Sequence, residues 1–118
     1  MKLLECQNAL GMESGTITDE HISASSQYSI YNAPSHSRLN GQPIPSVKEG
    51  AWSPATSDAN QWLQIDLGSN DISVTRVATQ GRNRHRLQCV DKYKLQYSHD
   101  EVNFQCYKEQ GQAIEKVS

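Results

Sequence analysis

The stretch Ala51-Trp52-Ser53-Pro54-Ala55-Thr56-Ser57-Asp58-Ala59-Asn60-Gln61-Trp62-Leu63-Gln64-Ile65-Asp66-Leu67-Gly68 decides the fold class. From Gln61 to Leu67 it alternates with a period of two. Trp62, Gln64 and Asp66 fall on one face, and Leu63, Ile65 and Leu67 on the other, which is the pattern of a strand with an aliphatic inner face. Asp58, Ala59 and Asn60 before it, and Gly68-Ser69-Asn70-Asp71 after it, are turn chemistry. Trp52 stands beside Ser53-Pro54, where proline limits any long central strand. Both tryptophans read most simply as core, and each is expected to be more than half covered.

Outward from this strand the chain reads as further strands and turns. Ile22-Ser23-Ala24-Ser25-Ser26 opens a strand of small residues, after a weak capping signal for a short helical turn at Thr18 to His21. Ile72 to Thr79 alternates and is rich in β-branched residues, and Val90 to Ser98 carries Tyr93, Leu95 and Tyr97 in phase. His99-Asp100-Glu101 turns the chain, and Val102 to Tyr107 returns as a hairpin partner, with Tyr97 expected opposite Phe104. No segment has convincing helical periodicity, so the class is all-β. The expected core is Leu63, Ile65, Leu67, Val77, Tyr93 and Leu95, with Gln64 outward.

Composition narrows what such a domain can do. At 118 residues the size prior is one domain. A hydrophobic content of 36% and a mean hydropathy of −0.71 imply a thin core and long loops. A net charge of −2, from 11 basic and 13 acidic residues, argues against a general nucleic-acid or membrane-surface binder, so any basic patch is local. No apolar run approaches the roughly 20 residues of a membrane span. Met1 to Glu5 begins like an export signal but meets Glu5 too soon. The 3 cysteines, Cys6, Cys89 and Cys106, cannot all pair within one chain. In the expected hairpin register Cys89 and Cys106 lie roughly 20 Å apart, against an upper limit of ~7 Å for bridged Cα atoms. No cysteine or histidine spacing matches a zinc site. Asp58, Asp66 and Asp71 lack the ordered oxygen spacing of a calcium loop, and no cofactor motif is present. Nothing resembles a nucleophile elbow, a metalloprotease helix or a phosphate-binding glycine loop, so an enzyme is not expected.

Two loops carry the functional interest. Gln27 to Gln42 is long and polar, yet holds Tyr28, Ile30 and Tyr31. These side chains either fold back onto the strands or project as a contact surface. After Gln80-Gly81 comes Arg82-Asn83-Arg84-His85-Arg86, the densest positive charge in the chain. It is either a solvated loop or an anion site, since guanidinium forks match carboxylate, sulfate or phosphate geometry. The candidate binding residues are therefore Tyr28, Ile30, Tyr31, Arg82, Arg84, His85 and Arg86.

Ala51-Trp52 followed by Asn60-Gln61-Trp62-Leu63-Gln64-Ile65-Asp66-Leu67-Gly68 resembles the signature of discoidin domains, the coagulation factor five/eight type C family. Cys6 to Ile17, Ile22 to Ser26, Ser37-Arg38-Leu39-Asn40, Val77 to Arg82 and Tyr93 to Ser98 match in the family's order, from Cys6 to about Gln112. The resemblance implies an antiparallel jelly-roll β-sandwich, galactose-binding-domain-like, in a single domain over 1–118. Against the family pattern it is incomplete at the C-terminus, lacking its last strands and the cysteine that pairs with Cys6, so the chain alone is expected to be marginal or aggregation-prone. It further implies a structural role for Arg38. The implied function is a non-catalytic, extracellular or cell-surface adhesion module. Loops at one end of the sandwich would recognise a cell-surface glycan or an anionic phospholipid headgroup. The alternative is a protein–protein interaction domain of a larger secreted or membrane receptor, with a protein ligand and no small one.

Overall fold

The computed structural model describes residues 9–68, 72–82, 90, 92–109, 112–113 and 115–117. Its regular structure is short antiparallel strands and single turns of 3₁₀ helix, with no α-helix among the described residues. Thr18 precedes a 3₁₀ turn at Asp19–His21 but contributes no side-chain cap, as the weak signal there implied. The chain then enters β1, Ile22–Ala24. β1 pairs antiparallel with β2, Leu63–Ile65, in the register Ile22↔Ile65, Ser23↔Gln64 and Ala24↔Leu63. Of the stretch that decided the fold class, Leu63–Ile65 is thus a strand, shorter than the run from Gln61 to Leu67 expected there.

Directly opposed residues of an antiparallel pair share a face, so Ile22, Ile65, Ala24 and Leu63 lie together. Ile22 is buried at 6% exposure, and with Ile17 it is the buried apolar core among the described residues. The expected core needs correcting beyond that. Leu63, Ile65 and Val77 are exposed, while Leu67, Tyr93 and Leu95 are half-buried. Gln64, expected outward, is the more covered position of β2, which runs exposed, half-buried, exposed. The physical reason is partial cover. β2 is hydrogen-bonded to β1 in a two-stranded sheet, so Leu63 and Ile65 sit at the rim of the face that Ile22 fills. Trp52 is half-buried and its indole N–H donates to the Ser26 carbonyl at 2.8 Å. Trp62 is 49% exposed, just over half covered.

The strand expected over Ile72 to Thr79 is not one: residues 72–80 carry no strand assignment. Its described end is held by side chains instead, the Gln80 amide exchanging hydrogen bonds with Asn40. The strand expected from Val90 to Ser98 is broken into β3, Lys92–Lys94, and β4, Gln96–Tyr97. β4 pairs with β5, Gln105–Cys106, matching Tyr97 with Gln105 and Gln96 with Cys106. That is one residue away from the expected Tyr97–Phe104 register. The connecting turn explains the slip: the Asp100 carboxylate accepts from the amides of Val102 and Asn103, and Glu101 adopts φ 63°, lengthening the loop. Beyond it, β6, Lys108–Glu109, pairs with β7, Gln112–Ala113, and β8, Glu115–Val117, pairs back onto β3. Cys106 is a free thiol, half-buried; Cys6 and Cys89 lie outside the described residues.

Candidate functional site

The loop after β1 is pinned at its base and open at its tip. Ser29 begins a 3₁₀ turn at Ile30–Asn32 by accepting the Tyr31 amide at 3.2 Å. Its hydroxyl also donates to the Asn32 side-chain carbonyl at 2.9 Å. Asn32 is buried at 5% exposure. Its main-chain carbonyl accepts the Ser53 amide at 3.4 Å, and the Tyr28 amide donates to the Ser53 carbonyl at 2.8 Å. A buried polar side chain that finds partners on both sides fixes the local path of the chain. Pro34–His36 forms a second 3₁₀ turn, with Pro34 at its start. The His36 Nδ1 lies 2.7 Å from the Tyr31 carbonyl, so it is the donor there. With the backbone held, the side chains of Tyr28 and Ile30 stand 73% and 71% exposed, and Tyr31 41%. Tyr28 and Ile30 thus stand out from the loop rather than folding back onto the strands.

A turn further along the chain presents apolar side chains of its own. Ile44 and Lys48 form an antiparallel bridge, their amides and carbonyls exchanged at 2.8 and 3.0 Å. Ser46 takes the left-handed conformation at φ 61°. Ile44 and Val47 are exposed at 47% and 60%. The base of this turn closes where Gly41 and Gly50 meet. A Cβ on Gly50 would lie 2.6 Å from the Gly41 carbonyl oxygen, so glycine is required there. The available signal was aliphatic residues flanking prolines in a polar stretch, Pro43-Ile44-Pro45 and Val47.

Arg82 begins the basic run Arg82 to Arg86, and its guanidinium turns inward. Its Nη2 donates to the Glu49 carboxylate at 2.6 Å, with the two side chains 15% and 34% exposed. The Glu49 amide donates to the Tyr31 carbonyl at 2.8 Å, so Arg82 and the tyrosine loop converge on one residue. Arg84, His85 and Arg86 lie outside the described residues.

On another part of the surface a cleft of about 390 Å³ is lined by Gly15, Thr18, Asp19, Glu20 and Arg38. Arg38 is committed there to the Met12 carbonyl at 2.9 Å and to Asp19 at 2.7 Å, the structural role that the resemblance implied. Main-chain and Thr18 hydrogen bonds hold the Glu20 carboxyl below its ordinary range. Among the described residues no three metal-ligating side chains cluster, and no helix is long and apolar enough to cross a membrane.

Comparison with known proteins gives the family. The model of the F5/8 type C domain matches residues 21–117. The chain is similar to lactadherin of Rattus norvegicus, 38% identical over 113 residues that cover 90% of this chain and 25% of that protein. Similarity to coagulation factor V of Sus scrofa is 36% over 117 residues, covering 95% and 5%. Neuropilin-1 of Homo sapiens is 39% identical over 97 residues, covering 80% and 10%. The chain therefore spans a quarter or less of the length of these relatives. With the family model spanning β1 through β8, the chain belongs to the F5/8 type C, or discoidin, domain family, and its fold class is that family's all-β sandwich.

Proposed function

We propose that this domain is a non-catalytic, extracellular binding module that docks on anionic phospholipid surfaces through the loops Gln27–Pro34 and Ile44–Lys48 and the basic loop that Arg82 opens. The observation that carries the reading is the exposure of Tyr28 and Ile30 above two-thirds on a loop whose base is fixed by buried Asn32. A polar loop gains nothing in water from presenting such side chains, and a contact surface does. Ile30, Ile44 and Val47 favour a lipid surface, because aliphatic groups are stabilised by entering the interfacial region, whereas sugars stack on aromatic faces. An acidic glycan is the second reading, favoured by the open ring of Tyr28. In both, Arg84, His85 and Arg86 keep the anion-recognising role that their sequence positions suggest.

The test compares sedimentation with vesicles of phosphatidylserine in phosphatidylcholine, vesicles of phosphatidylcholine alone, and a glycan array. Binding to the first alone is expected. The double variant Tyr28→Ala, Ile30→Ala is expected to weaken it by about tenfold or more, the loss of one to two buried apolar side chains, with the circular dichroism spectrum unchanged. Binding to acidic glycans but not vesicles moves the function to the second reading. Vesicle binding by the double variant equal to the parent's overturns the loop assignment, and binding to neither probe leaves the protein-ligand alternative.

A further inference from the structure

We propose that Glu49 is the positioning residue of this loop surface, and that Arg82 serves the site through Glu49 rather than by touching the ligand. Glu49 acts with two separate parts of itself. Its amide donates to the Tyr31 carbonyl at 2.8 Å, and its carboxylate receives Arg82 Nη2 at 2.6 Å. The Tyr31 carbonyl also receives His36 Nδ1 at 2.7 Å, so donors occupy both of its lone pairs and its place is over-determined. The ion pair lies at 15% and 34% side-chain exposure, where a charge-assisted hydrogen bond is shielded more than at an open surface. One unbroken path thus runs from the start of the basic loop, through the Glu49 carboxylate and amide, to the backbone that aims Ile30 and Tyr31. A guanidinium already held by a carboxylate inside the fold is poorly placed to grip an external anion, since that anion must first displace Glu49.

The binding arm of the test rests on the proposed function, and the other arm does not. The ligand-free arm is amide hydrogen exchange at position 49, whose N–H makes the bond to Tyr31, in the full chain. Arg82→Gln and Glu49→Gln are each expected to speed exchange there by about tenfold, the loss of one charge-assisted bond. The double variant should be no faster than either single one. Independent, additive effects, or no effect of Arg82→Gln, overturn the coupling. The second arm uses the charge-swapped variant Glu49→Arg, Arg82→Glu with the phosphatidylserine vesicles. If it regains both slow exchange and vesicle binding relative to Arg82→Gln, the ion pair and not the guanidinium's location serves binding. Slow exchange regained with binding still lost makes Arg82 a ligand contact and overturns the positioning role. Should the swapped variant fail to regain slow exchange, the cycle of single and double glutamine variants decides alone. Should the parent chain bind no vesicle, the proposed function fails while the exchange arm still decides the role of Glu49.

Discussion

Single residues set the two loops, and each has a distinct failure mode. Asn32 is the buried polar group of the tyrosine loop. Asn32→Ala removes the acceptor of the Ser29 hydroxyl at 2.9 Å and opens a small void, so it is expected to cost about 1–3 kcal/mol. Denaturant titration followed by tryptophan fluorescence measures that, because Ser53 stands beside Trp52. Gly50 fails differently. The added methyl of Gly50→Ala would meet the Gly41 carbonyl oxygen at 2.6 Å. Neither atom belongs to a flexible side chain, so the main chain must shift, at about 1–3 kcal/mol. That shift reaches the neighbouring Glu49 first, so the amide at position 49 is expected to exchange faster by more than the global loss of stability alone accounts for. Unchanged exchange at that amide would show that the close approach is not required.

Among the elements, the β4–β5 hairpin best separates local chemistry from packing. The Asp100 carboxylate accepts the amides of Asn103 and Val102, the Asn103 side chain and the Ser98 hydroxyl, in that order of importance, and these hold its carboxyl well below the usual carboxylate range. A depressed folded value means that the turn's contribution is fully present above the ordinary value of about 3.9 and is lost as pH falls below it. The Val102 and Asn103 amides should therefore lose protection on acidification through that range, and Asp100→Asn should show little of this pH dependence. Equal acid sensitivity in the variant would place the effect elsewhere. The Asp100 signal was legible as turn chemistry, but not as the longer loop that shifts Tyr97 from Phe104 to Gln105, since the left-handed Glu101 carries no composition cue. β2 was legible from the alternation between Gln61 and Leu67, and β1 only as a run of small residues, while the pairing of the two was written in neither. Residues 72–80 show the same alternation without forming a strand, because a strand also needs a partner's edge, which no local pattern encodes. The exposed tyrosine loop was legible as an anomaly of composition. The link from Arg82 to Glu49 was not, because it joins positions 33 residues apart and depends on the loops already being folded.

At the scale of the whole molecule the thin core of the described residues and their exposed apolar side chains belong together. Ile17 and Ile22 are the buried apolar residues among those described, and little buried area leaves little stability to spare. The chain is expected to melt at low temperature with a broad transition, and a sharp, reversible transition of the monomer at high temperature would refute this. The same surface makes the salt dependence of binding informative. With a net charge of −2, long-range attraction to an anionic vesicle cannot come from the molecule as a whole, so any charge effect is local to the basic loop. Local charges are screened over a Debye length of about 10 Å at 0.1 M salt and about 3 Å at 1 M. Apolar contacts from Ile30, Ile44 and Val47 are not screened. Affinity for phosphatidylserine vesicles is therefore expected to fall as salt rises and then to level off at a residual value. In Ile30→Ala that residual value should drop while the initial slope stays the same. In Arg84→Ala, Arg86→Ala the slope should flatten and the high-salt value should not change. If Ile30→Ala instead changes the slope alone, the isoleucine does not enter the lipid surface and the contact is with headgroups only.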